Sequence, residues 1–327
     1  MKLAFILDPL ESIKTSKDSS YAMMREAAAR NHQLFVMQQK DLVWKHDKIV
    51  GFARSLALIE KTHEDSPWYQ TGETKETPLQ AFDAVLMRKD PPFDIEYIYS
   101  TYLLELAEDQ GAYIINSPRA VRDYNEKLSI AKFQQFIAPT LVTKQECLIR
   151  EFLAEHRDIV LKPLDGMGGA SVFRLHLADY NVSVILETLT HYGTRTVMAQ
   201  QYLPEISEGD KRIIVIAGQA APYALARIPR PGETRGNLAA GGTGIVQPLS
   251  KRDREIAETL GTTLRDDGLM LAGLDVIGDF LTEINVTSPT GMQEITRESG
   301  FNVAAMMLDE IEKNVKKPLP QRNRQRR

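Results

Sequence analysis

A single cysteine, Cys147, stands among 327 residues, so no intrachain disulfide can staple this chain. Cys147 is expected to be a small buried residue of a protein kept in a reducing compartment. The sequence contains no H-E-x-x-H, C-x-x-C or G-x-S-x-G, which leaves zinc hydrolysis, thiol redox and α/β-hydrolase chemistry without their signatures. Long apolar runs are also missing: none approaches the ~18 residues of a membrane span. The short opening run Met1 to Leu7 is interrupted by Asp8, Pro9 and Glu11 before a signal-peptide core can form, so a cytoplasmic protein without membrane contact is expected. Forty Lys and Arg against 44 Asp and Glu give a net charge of −4. Seven of those basic residues fall in the last fifteen positions, leaving residues 1–312 with 33 basic against 44 acidic residues, or −11. Such a body repels nucleic acid, and any phosphate it binds must meet a local cluster of cations.

With 43% hydrophobic and 26% charged residues the composition is that of an ordinary folded protein, long enough for about two or three domains. Apolar patterning predicts strands at 3–7, 33–37, 83–87 and 113–116 alternating with helices at 18–31 and 94–110, hence a mainly parallel sheet. The segment 60–78 has charges and prolines without periodicity and reads as a long surface loop. Ser117-Pro118 opens two short helices over 119–136, broken near Asn125. Strands at 140–143, 159–164, 171–175 and 196–202, with helices at 145–155 and 180–192, make a compact α+β unit. A hairpin of 211–217 and 221–227 turns at Gly218-Gln219. A glycine-rich stretch then runs from Pro229 to Gly244. A helix at 252–267, a hairpin of 271–277 and 280–286, and a closing helix at 298–312 complete the pattern, before a basic tail predicted to be disordered.

Between two of these strands lies Asp165-Gly166-Met167-Gly168-Gly169-Ala170-Ser171, where glycines let backbone N–H groups approach an anion. It matches neither G-x-x-x-x-G-K-[ST] nor G-x-G-x-x-G and is followed by a strand, so it is a phosphate loop of another kind or an ordinary glycine hairpin. Lys162 ends an apolar strand and needs solvent or an anion. Lys127 sits at a helix start, where it is either a surface lysine or faces an anion. Asp275, Glu283 and Asn285 are oxygen ligands on two largely buried strands, a set that suits Mg²⁺ with nucleotide phosphates. Arg212, Arg227 and Arg235 surround the long glycine stretch, and guanidinium groups are fitting donors to carboxylate or phosphoryl oxygens.

The segments LKPLDGMGGAS (161–171), MAQQYLP (198–204), GDKR (209–212), LARIP (225–229), GETRGNLAAGG (232–242), GLD (273–275) and LTEINVTSPTG (281–291) occur in an order that closely resembles the bacterial glutathione synthetases of the ATP-grasp ligase family. LMRKDPPFD (86–94) and NEKL (125–128) extend the resemblance to residues 1 to about 312. It implies an α/β and α+β chain: a mainly parallel amino-terminal α/β domain at 1–120, then a two-part ATP-grasp fold. The latter would comprise a linker and small lid at 121–202 and a large subdomain at 203–315, with a basic disordered tail at 316–327. By matching position, Lys127, Lys162, Asp165, Gly166, Gly168 and Gly169 would hold nucleotide phosphates, Gln200, Gln201, Tyr202 and Leu203 the adenine, and Asp210 the ribose. Asp275, Glu283 and Asn285 would bind Mg²⁺ or Mn²⁺, and Arg212, Arg227 and Arg235 would be catalytic. Arg88 with Ser288, Pro289 and Thr290 would hold a peptide substrate.

The implied reaction joins γ-glutamylcysteine to glycine through an acyl phosphate made from ATP, in a homo-oligomer that meets neither nucleic acid nor membrane. Alternatives are a D-alanine- or glutamate-adding ligase of the same fold, or a non-catalytic ATP-binding protein. Register is the sharpest test. A plain two-residue turn at Gly278-Asp279 would put Asp275 opposite Thr282 and turn Glu283 to the other face, so the implied metal set requires an odd-length loop or a bulge.

Overall fold

The computed structural model describes residues 1–59, 66–238 and 241–316, and among them three sheets carry the chain. The first begins with β1 (Lys2–Ile6), α1 (Ser19–Ala29) and β2 (Gln33–Met37), followed by β3 (Leu42–Lys45), β4 (Lys48–Leu58) and β5 (Tyr69–Pro78). It is completed by β6 (Ala84–Met87), α2 (Ile95–Asp109) and β7 (Ile114–Ile115). The expected N-caps are in place: Asp18 accepts from the N–H of Tyr21 and Asp94 from that of Tyr97. β2, β1, β6 and β7 form a parallel core, whereas β3, β4 and β5 add an antiparallel meander against β2. The predicted loop at 60–78 is therefore corrected. Its first residues, 60–65, lie outside the described residues, and 69–78 form an edge strand that is mostly exposed on both faces, so no hydrophobic alternation marks it.

Next come α3 (Pro118–Asp123) and a 3₁₀ segment Leu128–Phe136, the two short helices expected around Asn125. The second sheet contains β8 (Thr140–Thr143), α4 (Glu146–His156), β9 (Asp158–Pro163), β10 (Phe173–His176), α5 (Val182–Thr190) and β11 (Val197–Gln201). Its order is β10-β9-β11-β8, all antiparallel, with α4 and α5 closing a small separate core around Ile149, Leu161 and Leu186. Cys147 is exposed, not buried, because α4 turns Ile149 and Leu153 inward and leaves position 147 outside.

The third sheet, β14-β13-β12-β15-β16, is antiparallel. It takes in β12 (Asp210–Ile216), β13 (Gln219–Ile228), β14 (Thr243–Pro248), α6 (Lys251–Asp266), β15 (Leu271–Ile277) and β16 (Phe280–Asn285). The first hairpin turns at Ala217-Gly218, both at positive φ, one residue earlier than expected. The glycine stretch ends where β14 begins, a second edge strand too exposed to show a pattern, and residues 239–240 lie outside the described residues. The predicted closing helix is two helices, α7 (Met292–Ser299) and α8 (Val303–Val315), separated where Gly300 takes a φ of +77°. The tail lies outside the described residues from position 317. No helix among the described residues is long and apolar enough to cross a membrane.

The β15-β16 hairpin satisfies both demands placed on it. Gly278, at φ +55°, opens a two-residue turn with Ile277 opposite Phe280, and a bulge at Thr282 then shifts the ladder so that Asp275 lies opposite Glu283 and Gly273 opposite Asn285. The Thr282 hydroxyl donates to the Asp275 carbonyl at 3.1 Å and closes the bulge.

Candidate functional site

A cavity of about 600 Å³ opens where the three sheets meet. One wall is the mouth of the first sheet (Leu7, Lys17, Arg88), another the glycine loop 166–170, and the floor is the β12-β13-β15-β16 face. Of the residues singled out from sequence, Lys127, Lys162, Gly166, Gly168, Gly169, Gln200, Gln201, Tyr202, Leu203 and Asp210 all line it. Arg88, Arg212, Arg227, Arg235, Asp275, Glu283, Asn285, Ser288, Pro289 and Thr290 do so too. Asp165 does not: its half-exposed carboxylate turns to Arg195 at 2.5 Å, since loop residues on either side of a glycine need not share a direction.

The floor is an ordered array of charges. β12 lies between β13 and β15, which places Arg212 opposite Asp275 and Asp210 opposite Arg227. Arg212 grips Asp275 with two donors, Nε to Oδ1 at 2.5 Å and Nη2 to Oδ2 at 2.9 Å, while Arg227 Nη2 reaches the same Oδ2 at 2.9 Å and also bonds Asp210. Burial alone would raise the Asp275 carboxyl, but the two guanidinium groups outweigh it and hold the group well below the usual carboxylate range. Asn285 Nδ2 adds a bond to Asp275 Oδ2 at 3.2 Å.

Asp210 fares differently. Burial pushes its carboxyl up to about 7 against the pull of Arg227, with Asp275 adding repulsion. Its Oδ1 is buried and has no hydrogen-bond partner among the described residues.

Glu283 stands beside this array with both candidate lysines: Lys162 Nζ lies 3.4 Å and Lys127 Nζ 3.5 Å from its Oε1. Burial raises the Glu283 carboxyl, yet the two ammonium groups prevail and lower it. Lys162, 6% exposed, also donates to the carbonyl of Thr282 at 3.4 Å, and burial lowers its own affinity for a proton despite Glu283. The surface reading of Lys127 is overturned: it is 4% exposed, and its ammonium donates to the carbonyl of Gly166 at 2.6 Å. Two buried lysines sharing one carboxylate leave positive charge aimed at the glycine loop.

That loop meets the second glycine stretch. Gly169 has a φ of +80°, a backbone angle that favours glycine, and the Asn237 and Arg235 side chains pack close against it. Arg235 donates to the Gly169 carbonyl at 3.3 Å and pairs with Glu233 at 2.6 Å. Tyr202 lies under the Arg174 guanidinium, 3.5 Å from ring centroid to carbon, and Gln200 is fixed by a 3.0 Å bond to Thr140.

Arg88 is placed at the cavity, but its guanidinium is committed within the protein. It donates to Ser20 Oγ at 3.1 Å, to the Thr287 carbonyl at 3.2 Å and to the Pro289 carbonyl at 3.0 Å, so it shapes the 287–290 turn. The sequence reading missed Glu126, whose carboxylate accepts from the N–H of Val286 at 3.1 Å and from the N–H and hydroxyl of Thr287 at 3.3 and 2.8 Å. Its only signal was its place beside Lys127. Glu294, Lys14 and Lys17 also line the cavity without having been singled out. Among the described residues no group of three or more His, Cys, Asp or Glu side chains forms a metal cage.

Two family models match nearly end to end: the amino-terminal domain of prokaryotic glutathione synthetase over residues 1–122 and its ATP-grasp domain over 126–300. The glutathione synthetase of Nitrosomonas europaea is 68% identical over 315 residues, covering 96% of this chain and 98% of its own length. That of Ralstonia nicotianae is 56% identical over 313 residues, 96% of each. Among solved structures, D-cycloserine synthetase DcsG superposes with a TM-score of 0.66 at 15% identity over 97% of this chain and all of its own. The ATP-grasp ligase PsnB, complexed with minimal precursor, Mg and ADP, gives 0.62 at 16% identity over 97% and 98% of the two chains. At such identities these last two speak for the fold alone.

Proposed function

The chain belongs to the prokaryotic glutathione synthetase family and is an ATP-dependent ligase that makes glutathione from γ-glutamylcysteine and glycine, and from that premise we propose how its cavity divides the work. Lys127 and Lys162 hold the nucleotide phosphates over the glycine loop of Gly166, Gly168 and Gly169. The strand end Gln200 to Leu203 takes the adenine, and the unpartnered Oδ1 of Asp210 accepts a ribose hydroxyl.

ATP-grasp ligases use a divalent metal with ATP, and the donor set here fits one. Asp275 and Glu283 lie opposite each other with Asn285 two residues on, giving carboxylate and amide oxygens of the kind a hard cation prefers. The chemistry that ion supplies is neutralisation of phosphate oxygens, and Mg²⁺, with Mn²⁺ as substitute, is the one we assign.

A carboxylate accepts an amine only after activation, so the cysteinyl carboxylate takes the γ-phosphoryl group of ATP and ADP leaves. The glycine amine, as free base, then attacks the acyl carbon and phosphate departs. Arg212, Arg227 and Arg235 stabilise the charge spread over the transferred group, and Arg88 and Glu126 hold the 287–290 turn against which the dipeptide lies. No protein nucleophile is required.

The observation that carries this reading is the meeting of Asp275, Glu283, two buried lysines and two buried arginines on one cavity floor. Within the same proposal the chain divides at about 120 and 202 into amino-terminal, lid and large parts, and it works in the cytoplasm as a homo-oligomer. The test is ADP release from ATP and γ-glutamylcysteine with glycine present, omitted, or replaced by D-alanine or glutamate. Release that needs glycine supports the reading; preference for another amine, or release without any, overturns it.

A further inference from the structure

Among the described residues the β15-β16 ladder stops at Gly273 opposite Asn285. Two residues further back on β15, Leu271 would face Thr287, but there the chain has already left the sheet: the Thr287 N–H goes to Glu126 and its carbonyl accepts from Arg88. Leu271 pairs with Ile216 of β12 on its other side and is buried, so its N–H and carbonyl on the open side need a partner from outside the sheet. Asn116, the buried residue that follows β7, supplies it. Its Oδ1 accepts from the Leu271 N–H at 2.9 Å and its Nδ2 donates to the Leu271 carbonyl at 2.8 Å. A side-chain amide can do this because it carries a donor and an acceptor side by side, as the peptide group of a neighbouring strand does.

The same Nδ2 has a second hydrogen, and it reaches the Val286 carbonyl at 2.9 Å. Val286 stands between Asn285 and the 287–290 turn, in a stretch that is neither strand nor helix. Side chains set the course of that stretch. Glu126 takes the N–H groups of Val286 and Thr287, Arg88 the carbonyls of Thr287 and Pro289, and Arg212 the carbonyl of Thr290. Of the side chains that meet this stretch, Asn116 is the one whose amide also closes the end of β15, so it decides where β16 stops and the turn begins. It does not line the cavity, and any effect it has on the reaction passes through the turn.

Resting on the function proposed above, we infer that Asn116 is a positioning residue for the ligase reaction: its amide stands in for the strand neighbour that Leu271 lacks and thereby fixes the 287–290 turn against the dipeptide.

The test uses the full chain with Asn116→Asp, which has the same shape, keeps the acceptor and gives up at least one of the two donors. Asn116→Ser, which keeps a single hydroxyl, is the milder variant and is read in the same way where the Asp variant does not fold. A control, Leu104→Ala, opens the buried core behind α2 in the amino-terminal domain, away from the turn. With each variant folded under the assay conditions, kcat/KM for γ-glutamylcysteine should fall at least about tenfold in Asn116→Asp and by less in Asn116→Ser. ATP Kd from calorimetry should stay within about twofold, because Lys162 and residues 200–203 are carried by β9, β11 and the segment after it. Leu104→Ala should lose at least as much stability to urea yet keep kcat/KM within about twofold. Three results overturn the role: a kcat/KM retained in the Asn116 variants, an ATP Kd that weakens as much as kcat/KM falls, or an equal kinetic loss in Leu104→Ala, which would make the effect one of general instability. A wild-type chain that releases no ADP with γ-glutamylcysteine and glycine overturns the underlying function and this role with it, a result read before any variant is made.

Discussion

Arg235 donates to the carbonyl of Gly169 at 3.3 Å, and this bond joins the two glycine segments of the chain across the cavity mouth. Its other partner, Glu233, is local and partly exposed, so the pair adds little to stability. The cost of removing Arg235 should therefore fall on chemistry.

Arg235→Ala is expected to lower kcat about a hundredfold, the scale of losing one donor to a transferred oxyanion, while ATP affinity moves less than about threefold. Single-turnover kinetics beside calorimetric ATP binding separates the two. A pure loss of affinity would place Arg235 with the nucleotide instead.

Lys162→Met replaces a buried cation by an apolar chain of similar length. ATP Kd should rise at least about tenfold, whereas the unliganded protein should melt no earlier than wild type, because desolvation of the ammonium disappears and Lys127 still faces Glu283. Melting with and without ATP checks both halves; unchanged ATP stabilisation would remove Lys162 from the phosphate site.

Glu126→Ala leaves two backbone N–H groups and the Thr287 hydroxyl without their acceptor, at a cost of about 2–4 kcal/mol in urea unfolding. Glu126→Gln keeps one acceptor oxygen and sheds a buried charge that burial already disfavours, so it should cost less than about 1 kcal/mol. Equal destabilisation by both would show that the charge, not the acceptor, holds the turn.

Glu105 bonds Arg122 and Arg119, and although burial raises its carboxyl, the two guanidinium groups prevail and lower it. A depressed carboxyl stabilises the fold above its unfolded pKa and loses that contribution as pH falls through the folded value. The stability gap between wild type and Glu105→Gln should then be full at pH 7 and shrink below about pH 4.5, the ordinary carboxylate range. Urea unfolding at pH 7 and pH 4 measures it; a gap independent of pH would assign the effect to packing.

Burial alone did not make an element legible: β4 is buried along much of its length and was not read as a strand, whereas β8, with no fully buried residue, was. β2 and β8 have the predicted limits, and the helices behind Asp18 and Asp94 begin where their caps stand. β5 and β14 were invisible because edge strands in water carry no alternation. In the site, residue identities came from motif resemblance, but pairing did not. That Arg212 would close on Asp275, 63 positions away, or that Arg88 would bond the Thr287 and Pro289 carbonyls, depends on strand order and loop path, which no local pattern encodes. The bulge was legible because the family resemblance required Asp275 and Glu283 to share one face of the sheet.

That bulge has an effect beyond aligning carboxylates. The carbonyl that Lys162 reaches belongs to Thr282, the residue the ladder skips. Excising Thr282 would leave Asp275 opposite Glu283 in an unbroken ladder, yet remove an oxygen from beside the lysine; exchanging its side chain would leave that oxygen in place. Part of this site is thus specified by how many residues the strand contains, while the identity of the extra one supplies only the hydroxyl that closes the bulge.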